Sequence, residues 1–151
     1  TGKGFDLLVV TSGVLGNQIA TTYKDVNNYK QNWPVHVYEN RWHGEGTSNR
    51  YPRIDAASTR NWNDFSDIYI ENGDYLRIQN VTLGYDFKQL FPKMPLSQAR
   101  LYMTVQNLYT FTGYYGMEPE IGFGMNYWAK GIDVGMYPTP RTLLFGANIK
   151  F

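Results

Sequence analysis

The chain has 151 residues, and its 14 Lys and Arg against 13 Asp and Glu leave a formal net charge of +1, which gives no electrostatic argument for nucleic acid. Cysteine is absent, so disulfides, thiol nucleophiles and thiolate metal sites are excluded. Aromatic residues make up 17% of the chain and charged residues only 18%, an unusual balance for a soluble domain. No run approaches the ~18–20 consecutive apolar residues of a membrane helix. The negative mean hydropathy does not decide against a membrane, because strands with one apolar and one polar face average to such a value. The chain opens at Thr1 without an initiator Met or a signal-like segment, and is expected to be a piece of something longer.

The first expected strand covers residues 4–12, with Phe5, Leu7 and Val9 opposed to Asp6, Leu8 and Val10. A long connection follows, residues 13–74, with a weak helical pattern over Thr22–Lys30 and a crowd of aromatics in Trp33, Tyr38 and Trp42. His36 and His43 lie near Glu39 and Glu45, but the spacing matches no zinc motif, and they read as solvated loop residues.

The second strand, residues 75–87, changes parity partway. Leu76 and Ile78 share one parity, whereas Val81, Leu83, Tyr85 and Phe87 share the other. One extra residue near Gln79-Asn80 reconciles them, which is a β-bulge. It keeps Arg77, Thr82, Gly84 and Asp86 together on the polar face; an Arg at mid-bilayer costs about 2–4 kcal/mol. A short turn with Pro92 and Pro95 leads to the third strand, residues 100–112. There Leu101, Met103 and Val105 oppose Tyr102, Thr104 and Gln106, and Tyr109 and Phe111 form an aromatic girdle. A second long connection, residues 113–140, holds Tyr114, Tyr115, Phe123, Tyr127, Trp128 and Tyr137. Glu118 and Glu120 flank Pro119 with no partner constellation for acid–base chemistry. The fourth strand, residues 141–151, alternates Leu143, Phe145, Ala147, Ile149 and Phe151 against Thr142, Leu144, Gly146, Asn148 and Lys150.

Antiparallel strands send successive connections to alternate ends of a sheet. Both long loops therefore fall at one end and the short turn at the other, the asymmetry of outer-membrane barrels with long extracellular loops and short periplasmic turns. A compact soluble domain seldom carries a weakly structured insertion of about 60 residues. The expected class is all-β: four antiparallel strands of a transmembrane β-barrel.

Four runs then carry a resemblance. The run Asn72-Gly-Asp-Tyr-Leu-Arg-Ile-Gln-Asn-Val-Thr-Leu-Gly-Tyr85 resembles a motif of SusC/RagA-type TonB-dependent outer-membrane transporters. The runs Ala99–Thr112, Gly116–Glu120 and Gly131–Arg141 are similar to the same family in the same order, and the strand ending at Phe151 is similar to its usual ending. Upstream, Gly4-Phe-Asp-Leu, Gly13-Val-Leu-Gly-Asn17 and Tyr51-Pro-Arg53 are similar to the preceding strand and loop. The likeness is strong over residues 72–151 and thin over 18–50.

The resemblance implies the C-terminal four strands of a large, 22-stranded barrel, with the plug domain and TonB-box segment N-terminal to anything in these residues. It implies no enzyme activity and no cofactor or metal. It implies an importer of large nutrients, oligosaccharides or peptides, that works under a SusD-like surface lipoprotein lid and is energised through the TonB complex. The remainder of the barrel and plug, and the barrel-assembly machinery, are further implied partners. Phe151 is the expected assembly signal; Tyr102, Gln106, Tyr114, Tyr115, Trp128 and Tyr137 are the candidates for ligand or lid contact. Two alternatives come from other classes: a soluble carbohydrate-binding β-sandwich using exposed aromatics, and a small autonomous barrel acting as adhesin. The second needs about eight strands, where four are found.

Overall fold

Among the described residues seven strands follow in chain order: β1 (Phe5–Val14), β2 (Gln18–Thr21), β3 (Ile70–Asn72), β4 (Tyr75–Asp86), β5 (Gln98–Thr112), β6 (Ile132–Asp133) and β7 (Thr142–Lys150). Two short helices, α1 (Val35–Glu39) and α2 (Thr59–Asn63), lie between β2 and β3. These elements belong to a computed structural model that describes residues 3–21, 32–55, 59–122 and 130–151. The helical pattern over Thr22–Lys30 lies outside them, as do Phe123, Tyr127 and Trp128. The chain divides into two units: residues 1–16, 73–113 and 138–151 form the first, residues 17–72 and 114–137 the second.

The first unit is a single antiparallel sheet in the order β1-β4-β5-β7. Each long strand pairs with the next long strand in the chain, an up-and-down meander that needs no crossover. The register fixes the faces. Phe5, Leu7 and Val9 line up with Tyr85, Leu83 and Val81, then with Leu101, Met103 and Val105, then with Ala147, Phe145 and Leu143. Side chains alternate across a strand, so these rows form one apolar face. The intervening rows carry Asp6, Gly84 and Tyr102, and Thr82 and Thr104, on the other face.

The alternation breaks where the sequence parity breaks. From Val10 to Thr11, β1 advances one residue while β4 advances two, from Asn80 to Ile78, leaving Gln79 as the extra residue. Across that same step β5 advances three, from Gln106 to Tyr109, with Asn107 at φ 53°. Asn is one of the few non-glycine residues that tolerates this left-handed conformation, because its short amide side chain bonds locally. The Asn107 amide itself reaches across the chain and donates to the Pro140 carbonyl at 3.1 Å. The bulges keep Arg77 and Thr110 on the polar face, where the Arg77 Nε donates to the Thr110 hydroxyl at 2.9 Å. Leu76 and Phe111 stay on the apolar face.

β1 continues to Val14, two residues past the expected boundary, because Gly13 slips by the β4 backbone: a Cβ there would lie 2.7 Å from the Tyr75 carbonyl oxygen. β5 begins at Gln98, two residues before its expected start. The turn ahead of it is braced by Asp86, whose carboxylate accepts from the Lys88 and Ala99 amides at 3.0 and 3.4 Å. Lys88 Nζ closes the turn by donating to the Met94 carbonyl at 2.8 Å.

The second unit has structure of its own where long connections were expected. Its sheet has the order β3-β2-β6, with β2 antiparallel to β3 and parallel to β6. Val37, Tyr51, Trp62 and Tyr69 form a buried cluster, packed by Trp33, Ile54 and Ile68. Period-2 reading misses such a unit because its strands are only two to four residues long and its core is built from aromatics on short helices and turns.

Candidate functional site

The polar face of the four-stranded sheet is organised by two glycines. Arg100 reaches from β5 past Gly84 to Asp6 on β1, donating from Nε and Nη2 to the two carboxylate oxygens at 2.8 and 2.6 Å. A Cβ on Gly84 would lie 2.5 Å from both the Arg100 Nη2 and the Asp6 Oδ1, so the fork needs a bare backbone beneath it. Tyr102 lies over Gly146 in the same way: a Cβ there would stand 2.3 Å from the ring. The Arg100 guanidinium sits 4.9 Å above the Tyr102 ring, so the ion pair and the aromatic form one continuous layer. Beside it the Thr82 and Thr104 hydroxyls bond each other at 2.8 Å. Gln106 shares this face, opposite Asn80 and Thr142. Phe151 follows β7 and is 91% exposed.

In the second unit the remaining candidates separate by environment. Tyr114 is buried, and its hydroxyl donates to Asp133 at 2.5 Å. Asp133 is itself 2% exposed and also accepts from the Gly135 and Met136 amides at 2.8 and 3.2 Å, so this carboxylate holds a turn. Tyr115 is open to solvent on one side and stacks on His36 on the other, with ring centroids 4.0 Å apart. His36 Nε2 stands 3.9 Å from Glu71, which also accepts from the Tyr115 amide at 3.3 Å. Tyr137 is 85% exposed. Trp128 lies outside the described residues. Glu118 accepts from the amide of Glu120 at 3.1 Å, a turn contact between the two carboxylate residues.

The aromatics of the first connection pack on each other. Trp33 meets Trp62 at 4.6 Å, and the Tyr69 hydroxyl donates to the Trp62 carbonyl. Burial pushes the Tyr69 phenol up to about 12. It raises Tyr51 too, against the opposing pull of the Arg50 guanidinium. Around Tyr51 is an open basin of about 430 Å³ lined by Trp42, Ser48, Asn49, Arg50, Arg53 and Asn61. The sequence pattern gave no warning of it, because its residues carry no shared periodicity; three arginines close to aromatics in Tyr38–Arg53 were the available signal.

No family model matches the chain. The TonB-dependent receptor P3 of Formosa agariphila is 30% identical over 99% of the chain, which covers 15% of that receptor. The TonB-dependent receptor SusC of Bacteroides thetaiotaomicron is 36% identical over 57% of the chain, or 8% of its own length. Among solved structures, the RagAB peptide importer in its 'closed-closed' state matches 99% of the chain at a TM-score of 0.70 and 22% identity, with 16% of that chain covered. Its 'open-open' state matches 98% at 0.69 and 21%. The chain thus spans about a seventh of the receptors it matches along nearly its full extent, and the structural likeness speaks for the fold.

Proposed function

We propose that this chain, whose homologues are TonB-dependent receptors with SusC among them, forms part of the wall and loops of an outer-membrane importer. The observation that carries the reading is the match along 99% of the chain, taken together with a meander whose strands each have one apolar face. Strands of 10, 12, 15 and 9 residues have the reach to cross a bilayer, for which about 9–11 suffice when tilted. Aromatics gather towards both ends of the apolar face: Tyr109 and Phe111 at one, Phe5 and Tyr85 at the other, with ring centroids 4.7 and 4.5 Å apart. Such girdles mark the two lipid–water boundaries of a membrane barrel. β1 and β7 each have one edge unpaired among the described strands, so further strands complete the wall.

In this reading the long connections, residues 13–74 and 113–140, are extracellular loops that meet the imported nutrient, an oligosaccharide or peptide, and a SusD-like lipoprotein lid. A plug fills the barrel and TonB supplies the energy to displace it. The Asp6–Arg100–Tyr102 layer faces the lumen. The test is fractionation of the native source followed by detergent extraction. The polypeptide containing this chain should appear in the outer-membrane fraction, shift in gel mobility on heating and co-purify with a surface lipoprotein. Recovery in the soluble fraction, without a heat shift, overturns the reading.

A further inference from the structure

We propose that the basin around Trp42, Arg50 and Arg53 binds an acidic sugar unit, a ring carrying a carboxylate or sulfate, within the imported oligosaccharide; this rests on the importer reading above. The lining holds two arginines and no acidic residue. Both guanidiniums lie over aromatic rings, Arg50 at 5.2 Å from the Tyr51 centroid and Arg53 at 5.5 Å from that of Trp42. Stacking fixes a guanidinium at little entropic cost and leaves its N–H fork for a planar anion. Asp55 holds Arg53 from beside the basin at 2.9 Å, which makes Arg50 the principal ligand-facing cation.

The wall that carries these groups is pinned along its length. The Trp42 amide donates to the Tyr51 carbonyl at 2.9 Å, the Ser48 hydroxyl accepts from the Arg50 and Tyr51 amides at 3.2 Å, and buried Trp62 donates to the Arg53 carbonyl at 2.8 Å. A site held this way pays little ordering cost on binding. The volume, about 430 Å³, sits at the small end of ligand sites, suited to one or two sugar rings. Partly exposed Trp42 offers apolar surface to the C–H face of a ring, and the Asn49 and Asn61 amides suit ring hydroxyls. That mixture favours a saccharide over an acidic peptide, whose carboxylates need the arginines alone.

The experiment uses the full-length receptor in detergent and titrates it calorimetrically with four probes: an oligogalacturonate, a sulfated oligosaccharide, a neutral oligosaccharide of equal length and an oligoglutamate. An acidic saccharide should bind more tightly than the neutral one, and the carboxylated and sulfated probes show which anion is preferred. Arg50→Gln should weaken the preferred acidic saccharide by about tenfold or more, the value of a charged hydrogen bond, with binding of the neutral probe unchanged. Trp42→Ala should weaken both saccharides. Equal affinity for acidic and neutral sugars, indifference to Arg50→Gln, or preference for oligoglutamate overturns the proposal. The heat-shifted band of the same preparations reports whether the outer-membrane barrel is folded. A folded, membrane-resident receptor without acidic preference sinks this inference alone, whereas a soluble protein sinks the importer reading with it.

Discussion

At the scale of single residues, two kinds of information differ in how far the sequence carried them. The face of a side chain was legible: Tyr102, Thr104 and Gln106 fall on the polar rows and Leu101, Met103 and Val105 on the apolar ones, because the period of a strand is fixed at two. Partners were not. Asp6 and Arg100 are 94 positions apart and meet only because β4 lies between them with a glycine at the crossing point. Burial was equally hidden for Tyr69, whose hydroxyl is held against the Trp62 carbonyl. Its phenol is raised to about 12, above the ordinary value of 10.0, because burial disfavours the phenolate. A group raised on folding gives stability that is full below its unfolded value and is lost as pH climbs through its folded one. The contribution of Tyr69 should therefore hold up to about pH 10 and fade towards pH 12. Tryptophan-fluorescence melting of the full-length protein and its Tyr69→Phe variant checks this. The wild type should melt higher at neutral pH, by the equivalent of about 1 kcal/mol, and the gap should close between pH 10 and 12. A gap that stays constant over that range refutes the assignment.

At the scale of elements, the meander and its bulge were readable, and the second unit was not. The parity change between Ile78 and Val81 required one extra residue, and the register places it at Gln79. Hydrophobic alternation is a long-range constraint along a strand, so a single inserted residue leaves a trace in every position beyond it. Strands of two to four residues leave no such trace, and the aromatic cluster of Val37, Tyr51, Trp62 and Tyr69 comes from pieces 32 positions apart. The bulge has a testable consequence. Deleting Gln79 removes the extra residue itself, so β4 alternates without a break: Leu76, Ile78 and Val81 keep the apolar face, and Tyr75 and Arg77 keep the polar one. The Arg77 bond to Thr110 then survives, and the cost of an Arg facing lipid, up to about 2–4 kcal/mol at the bilayer midplane, is avoided. The Gln79 deletion should leave most of the heat-shifted, folded band in the outer membrane, whereas deletion of Leu83, which turns Thr82 and Asn80 to the apolar face and Val81 to the polar one, should sharply reduce it. Equal yields of the two variants would mean that alternation along β4 does not set the register.

At the scale of the whole molecule, the question is what surrounds the sheet. Apolar side chains across the sheet are open to their surroundings, with Leu7 on β1, Leu101 on β5 and Phe145 on β7 each more than half exposed. In water that arrangement is an aggregation liability; in a bilayer it is the solvated state. Residues 144 and 145 separate the two cases because they are adjacent in sequence and face opposite ways at the same depth along β7. If lipid covers the apolar face, Phe145→Arg places a cation in hydrocarbon and should cost about 2–4 kcal/mol near the midplane. Leu144→Arg points the same charge to the polar side, beside Thr104, where water or other polar groups receive it. Folded yield in the outer membrane should therefore fall strongly for Phe145→Arg and little for Leu144→Arg. In a two-layer soluble sandwich a second sheet over the apolar face buries residue 145 and not 144, but such a protein gives no folded band in the outer membrane, and a bare sheet in water tolerates arginine at either position. Equal tolerance at the two positions would remove lipid from the picture. A folded band in the outer membrane whose loss is confined to the residue 145 variant fixes which face of the sheet meets lipid.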